Sequence, residues 1–392
     1  LDVIGIGIAM PTITPLLLRP DSGLLAGTYS LDERTILLGY LLASFSVAGF
    51  FGGPLLGALS DRYGRKPLLL FSLLLTLSGY LIFALGIQAR NLPLLFLSRV
   101  VYGIGGGNIA IIQSAIADVS DAASRTRNFG LIGVAFGLGF VVGPTLGGEL
   151  SNPETVSWFN FATPFYAAAL LAVLNIVMVL FAFRETLATP IRRPVTPFTG
   201  FRNLAEAFTI RRLRLLFGGV FFYSLGFSFY SQFFAVYLLK RFDFDQVRIG
   251  RYFGFVGLCI VIMQGLVVRR LSSVYTPQQI LRVSVLGLAV VLWCFLLPQQ
   301  AWQVFLVAPV LALFQGLTSP NATSLVSTSA TADEQGKMMG INQSVMSAAF
   351  ATPPIIAGHI ETINLSLPLI MAGLMAILGW FFFVRFIRQE AV

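Results

Sequence analysis

Residues 35–56 and 67–87 are apolar almost throughout, and each run is long enough for a helix to cross the hydrocarbon core of a bilayer. Between them, residues 57–66 read Gly-Ala-Leu-Ser-Asp-Arg-Tyr-Gly-Arg-Lys, with one acid (Asp61) and three bases (Arg62, Arg65, Lys66). Charges this dense cannot rest in hydrocarbon. The stretch is therefore expected as a short loop at a membrane surface, with Gly57 and Gly64 letting the chain turn tightly. Bases in such a loop also act as a topology anchor, because Lys and Arg accumulate on the cytoplasmic side.

The same pattern recurs along the chain, giving about twelve spans of crossing length. Only 11% of the 392 residues are charged and 56% are hydrophobic. Soluble domains carry about 25% charged residues, so the sequence reads as an all-α integral membrane protein. Its formal net charge of +9 gathers mostly on one side if the N-terminus is cytoplasmic, with Arg62, Arg65, Lys66, Arg125, Arg127, Arg282 and Arg388 among the bases placed there. Both termini are then expected in the cytoplasm, and the positive charge meets anionic lipid rather than nucleic acid. Cys259 and Cys294 lie in apolar runs and read as packing residues. No Cys/His cluster suggests a metal, and no cofactor is implied. The chain is already apolar at Leu1, as expected if a short native N-terminus precedes it.

The longest polar segment, 184–214, divides two six-span bundles, 1–183 and 215–392. Pro190, Pro194 and Pro197 mark it as a linker, and residues 203–214 are expected to form a basic helix on the membrane surface. The halves look duplicated. Gly130, Pro144 and Gly148 recur at the same spacing as Gly340, Pro354 and Gly358, while Gly103 and Asn108 pair with Gly316 and Asn321. Two similar bundles are the architecture of many secondary transporters.

Three stretches carry a more specific likeness. Gly57-x3-Asp61-Arg62-x-Gly64-Arg65-Lys66 resembles the cytoplasmic helix 2–3 motif of the major facilitator superfamily. Gly139-x3-Gly143-Pro144-x2-Gly147-Gly148 resembles the helix 5 motif of its proton-driven drug antiporters. Leu1-Asp2-x-Ile4-Gly5-x-Gly7-x2-Met10-Pro11 is similar to the first helix of tetracycline/proton antiporters, and Arg184-Glu185-Thr186 fits the same branch. The resemblance implies twelve helices in two pseudo-symmetric bundles, lodged in a bacterial inner membrane. It also implies proton-coupled efflux of a small, partly apolar organic compound by alternating access. There is no phosphate-binding Gly-x4-Gly-Lys-Ser/Thr loop for an ATP-driven pump. Proton-coupled uptake of a nutrient on the same fold, or a transport-dead receptor, are the alternatives.

Candidate site residues follow. Asp2 either caps its helix at the interface or binds protons, and the resemblance implies the second. Arg99 lies inside a span and is always charged; it either snorkels to the outer end of that span or has a functional role, and it resembles a fourth-helix arginine implicated in proton coupling in the family. Gly139, Gly143 and Gly147 share one helix face that another helix could approach, with Pro144 allowing a bend and Gly148 completing the motif. Asp61, with Gly57, Arg62, Gly64, Arg65 and Lys66, is expected to form a cytoplasmic latch. In it Arg65 pairs with Asp118, and Asp61 lies near the start of span eleven around Met338.

Tyr223, Phe227, Tyr230, Phe234 and Tyr237 form an aromatic stripe in span seven, suited either to an amphipathic substrate or to lipid. The polar residues Asn108, Gln113, Gln315, Asn321, Asn342 and Gln343 are costly to expose to lipid and are expected to face the interior. His359 and Glu361 read as a loop pair at the outer end of span eleven. The chain departs from the tetracycline antiporters in lacking an acid in 79–89 and in span nine, and in placing Ile260 where they have a histidine. Tetracycline itself is therefore not the expected cargo.

Overall fold

The computed structural model describes residues 1–120, 125–187, 199–210, 213–329 and 335–390. Within them the chain is helical, with no strand. In order the helices are α1 (Asp2–Leu18), α2 (Leu31–Tyr63), α3 (Arg65–Gln88), α4 (Leu92–Gly105), α5 (Asn108–Asp118), α6 (Arg125–Leu150), α7 (Thr163–Ala182) and α8 (Thr199–Thr209). They continue with α9 (Arg214–Phe242), α10 (Gln246–Met263), α11 (Arg269–Val274), α12 (Pro277–Cys294), α13 (Gln303–Thr328), α14 (Gln335–Ala351), α15 (Pro353–Ile363) and α16 (Leu367–Glu390).

Among the described residues, nine helical stretches are long and apolar enough to cross a membrane. The α1 helix is apolar but has 17 residues, and α9 has 29 but carries polar side chains along its length. Thr352 alone separates α14 from α15, just ahead of Pro353 and Pro354, whose rings cannot continue the backbone ladder. A π-helical turn, Gln264–Val268, joins α10 to α11. Two compact units emerge. One comprises Leu1–Thr199 with Phe244–Gly254, and the other Gly200–Asp243 with Phe255–Val392.

The charged stretch 57–66 is not a loop. Helix α2 runs through it to Tyr63 and α3 starts at Arg65, so Gly64 alone makes the turn. Its φ of 107° lies where L side chains are strained, and a β-carbon there would also come 2.6 Å from Glu185 Oε2. The helix can run through the motif because Arg65 is held by Asp61 and Asp118, Lys66 by the Leu180 carbonyl, and Arg62 is exposed, contacts that periodicity alone does not reveal. The surface helix expected at 203–214 appears earlier, as α8. Its Ala207 is buried in the second unit, where Asn203 Nδ2 donates to Ser344 Oγ at 3.1 Å.

Helix ends follow their capping residues. Ser30 with Glu33 and Thr276 with Gln279 form capping boxes at the starts of α2 and α12, and Asn91 accepts from the Leu94 amide to start α4. The start of α3 has no such residue, because Gly64 stands at its N-cap. Glu185 takes the part from a distance in sequence. Its Oε1 accepts from the Arg65 amide at 2.9 Å and its Oε2 from the Lys66 amide at 3.0 Å, while the amides of Thr186 and Leu187 close on Oε1. Partial burial alone would raise this carboxyl, but the amides of Leu187, Arg65, Lys66 and Thr186 outweigh it and hold the pKa below its usual value.

Arg34 closes the other end of α2. It is 2% exposed and donates only to backbone carbonyls, those of Tyr29, Leu17, Leu25 and Ala26, at 3.0–3.4 Å. One guanidinium thus satisfies the segment joining α1 to α2. Arg34→Ala should strand these carbonyls and lower stability by about 2–3 kcal/mol. Thermal unfolding in detergent measures this, and Arg34→Lys should recover only part, since an ammonium cannot fan out to four acceptors.

Glu185 makes a pH prediction. A carboxyl held low in the folded state contributes stability that is complete above the ordinary carboxylate range and is lost as pH falls through the folded value. Glu185→Gln should therefore melt earlier than the parent at neutral pH, and the two curves should converge as pH falls below the ordinary carboxylate range.

Candidate functional site

The first unit holds two groups of the residues singled out in the sequence. The first lies where α2 meets α3. Ser60 and Asp61 sit on the last turn of α2 and face the arginine that opens α3. Arg65, 4% exposed, donates from Nη1 to Ser60 Oγ at 2.7 Å and to Asp61 Oδ1 at 2.5 Å. Its Nε reaches Asp118 Oδ2, on the last turn of α5, at 3.0 Å, and Thr186 Oγ1 donates to the same oxygen at 3.2 Å. Lys66 points elsewhere, its Nζ donating to the Leu180 carbonyl at 2.8 Å. Arg62 is exposed and lies over the Tyr63 ring, outside the network. Gly57 faces Ala110 of α5, and a β-carbon there would make only an ordinary contact, 3.5 Å from Ala110 Cβ.

The second group surrounds Asp2. The apolar stretch Leu92–Asp118, the fourth span, breaks between Gly105 and Asn108, and Asn108, 1% exposed, donates from Nδ2 to Asp2 Oδ2 at 2.8 Å. The break is packed by glycine. A β-carbon on Gly52 would meet Ile104 Cα at 2.7 Å, and one on Gly107 would meet Gly53 Cα at 2.8 Å. Arg99 is 6% exposed and sits over the rings of Phe83, at 4.4 Å, and Tyr102, at 5.8 Å. Among the described residues no carboxylate lies within ion-pair distance of it, and its Nε has no hydrogen-bond partner. Tyr80 and Tyr102 share a hydroxyl–hydroxyl hydrogen bond of 3.0 Å, and Phe45 stacks on Tyr102. Sequence reasoning missed this tyrosine pair. Single tyrosines inside apolar runs look like core until the register of α3 against α4 is known. Gln113 is half-buried on α5.

The glycine-rich face of α6 is spent on α1. A β-carbon at Gly143 would come 2.7 Å from Gly7 Cα, one at Gly139 would strike Val3, and one at Gly147 would strike the Ile8 carbonyl. The other side of the motif meets residues 244–254 of the same unit. There Gly148 abuts the Gln246 carbonyl, at 2.7 Å from a β-carbon, and Gly250 abuts the carbonyl of Pro144.

In the second unit the aromatic stripe of α9 is closed over. Tyr230, Phe234 and Tyr237 are buried; Tyr230 and Phe234 pack on Phe295 at the end of α12, whose carbonyl accepts from Tyr237 Oη at 3.2 Å. These rings do not face lipid. Phe227 is half-buried beside Tyr230. Tyr223 Oη accepts from Gln315 Nε2 at 3.1 Å, bringing α9 and α13 together. Asn321 Nδ2 donates within its own helix to the Leu317 carbonyl, and Asn342 Nδ2 reaches Met346 Sδ at 3.6 Å. Gln343 is half-buried. Ser224 Oγ, Gln315 Oε1 and Asn342 Oδ1 are buried without a partner, a costly condition unless another molecule supplies one. His359 and Glu361 are not a loop pair. Both lie on α15, His359 Nδ1 is 2.9 Å from the Ile355 carbonyl, and Glu361 pairs with Lys240. Residues four apart on a helix share a face, but residues two apart diverge.

Comparison with known proteins adds the family. The model described as Major Facilitator Superfamily matches residues 1–354. The class H tetracycline resistance protein of Pasteurella multocida is 29% identical over 374 residues, covering 93% of this chain and 88% of that protein. The class C tetracycline resistance protein of Escherichia coli is 30% identical over 375 residues, with the same coverage. The crystal structure of the human organic anion transporter MFSD10 (TETRAN) shares the fold, with a TM-score of 0.69 at 23% identity over 97% of this chain and 98% of that one. Matched from its first residue into α15, the chain belongs to the Major Facilitator Superfamily of membrane transporters.

Proposed function

We propose that this transporter exports a small, partly apolar organic compound in exchange for protons, by alternating access, across a bacterial inner membrane. The observation that carries the reading is the Asp2 carboxylate held by Asn108 at the break in span four, in the unit that also buries Arg99 without an acid partner. An acid at the start of a membrane helix, held by one side-chain amide, is a candidate for taking up and releasing a proton in a transport cycle. The tetracycline resistance proteins to which the chain is similar are named for resistance to a drug, which accords with export.

The cargo is read from the second unit. Tyr223 and Gln315, with the unpartnered oxygens of Ser224, Gln315 and Asn342, offer hydrogen-bond donors and acceptors to a molecule that is otherwise apolar. Asn321 and Gln343 complete this polar set, and Phe227 lends it an aromatic edge. Arg65, held by Asp61 and Asp118, is a latch: three charges from α2, α3 and α5 fix these helix ends as long as both acids are ionised.

Two outcomes test the reading. In everted vesicles challenged with a panel of amphipathic drugs, the parent should show substrate-driven proton movement, which Asp2→Asn and Arg99→Ala should reduce to background. Unaltered flux in both variants refutes the coupling roles, and growth failure on a nutrient rather than drug sensitivity in a knockout points to uptake. Asp61→Asn should insert normally yet raise the labelling rate of single cysteines near the ends of α2 and α5. Equal labelling of parent and variant removes the latch.

A further inference from the structure

Lys240 lies in the last turn of α9 and Glu361 near the end of α15, and Lys240 Nζ stands 2.8 Å from Glu361 Oε2. Their side chains are 12% and 2% exposed. Among the described residues, Glu361 is the one carboxylate of either unit whose residue is buried to this depth. Beneath it lies a small void walled by Phe229, Phe233, Phe234, Tyr237 and Leu369. The helices α9, α10, α12, α13 and α14 contain no Asp or Glu, so the second unit offers no deeper acid among them.

The charges around Glu361 are few. On α9, Arg241 donates to the Pro298 carbonyl at 3.1 Å and lies over Tyr237 and Phe242, turned to other partners. On α15 itself, His359 is exposed. The α16 helix presents Pro368 and Leu369, and α14 carries its one charge, Lys337, on its first turn at the far end from α15. Lys240 is the cation that faces the carboxylate.

A buried ion pair between two helices has an alternative when one partner is a carboxylate. Ionised, Glu361 needs Lys240, because an unpaired charge against phenyl rings is heavily penalised. Protonated, it is neutral, tolerates the apolar wall, and no longer holds the ammonium. We propose that Glu361 is a second proton-binding site of this transporter, and that its protonation frees Lys240 and loosens α9 from α15. The step is an acid–base exchange. A hydronium ion gives its proton to a Glu361 carboxylate oxygen and leaves as water, while Lys240 remains an ammonium and turns to solvent. Its place in a transport cycle rests on the proton-coupled reading above, but the proton site itself is measured without substrate.

Infrared difference spectra of the purified full chain in liposomes, titrated from acid to neutral pH, should show a protonated-carboxyl band that Glu361→Gln removes. In Lys240→Met the same band should persist to a pH about one unit higher, a tenfold gain in proton affinity, because the cation favouring the ionised form is gone. Amide deuterium exchange, corrected for intrinsic rate, should quicken at the last turns of α9 and α15 as the parent is acidified. In Glu361→Gln it should be fast at every pH. A band that Glu361→Gln leaves in place and an unshifted titration in Lys240→Met overturn the site. A lost band with exchange indifferent to pH overturns the release. Flux lost in Asp2→Asn with these spectra unchanged would leave the two sites independent.

Discussion

In a bilayer the backbone has no partner but protein, so every peptide group in the hydrocarbon must be satisfied by the chain itself. Regular helix does this without help, and most described residues of this chain are helical. The interruptions reveal what the rest depends on. Where α2 turns into α3, Gly64 offers no capping side chain, and Glu185, more than a hundred residues away, accepts the exposed amides. Where α1 returns to α2, the carbonyls of Leu17, Leu25, Ala26 and Tyr29 converge on Arg34. One acid serves stray donors and one base serves stray acceptors. Each therefore fixes a corner of the first unit.

Close packing of backbones supplies the second constraint. Lipid tails are as apolar as leucine, so burying apolar surface gives helices little reason to associate, and dispersion at short range must serve instead. The α1–α6 contact shows how this is met, with Gly7 against Gly143 and Gly147 against the Ile8 carbonyl. Any side chain on these glycines would push the helices apart. That contact also sets the position of Asp2, which opens α1 directly before Val3, the residue that meets Gly139 on α6. Packing and the candidate proton site are therefore parts of one arrangement: the helix that carries the carboxylate is the helix the glycine motif holds.

Most of the helices were legible from apolar run length, since a bilayer imposes a span that no soluble fold shares. The family, too, was legible, because residues 57–66 and 139–148 combine glycines and charges at fixed spacings. The helical course of residues 57–63 was not legible. Four charges in ten residues suggest a loop unless Arg65 is known to fold back on Asp61 and Asp118. The aromatic stripe of α9 was correctly placed on one face, but nothing local says that Phe295, from α12, covers it. Tyr80 with Tyr102, and Lys240 with Glu361, escaped for the same reason. Each pair joins residues whose proximity depends on helix–helix register, and register is a property of the assembled core.

The buried charges separate what can switch from what cannot. Arg34 is held by carbonyls, Arg65 by two acids, and Arg99 by aromatic faces, an arrangement worth about 0.5–2 kcal/mol in such sites. An arginine keeps its proton throughout, so none of the three can carry one across the membrane by titrating. Each can only favour one state of a neighbour. The carboxylates near buried or half-buried bases are Asp2 in the unit of Arg99, Asp61 and Asp118 on Arg65, and Glu361 on Lys240. Among them Glu361 is the acid that alone pairs with its base among the described residues, so the proposed loss of its charge would leave Lys240 in need of a new partner. In the exchange proposed above, proton binding at such a carboxylate and movement of the helix that carries it would be two descriptions of one event.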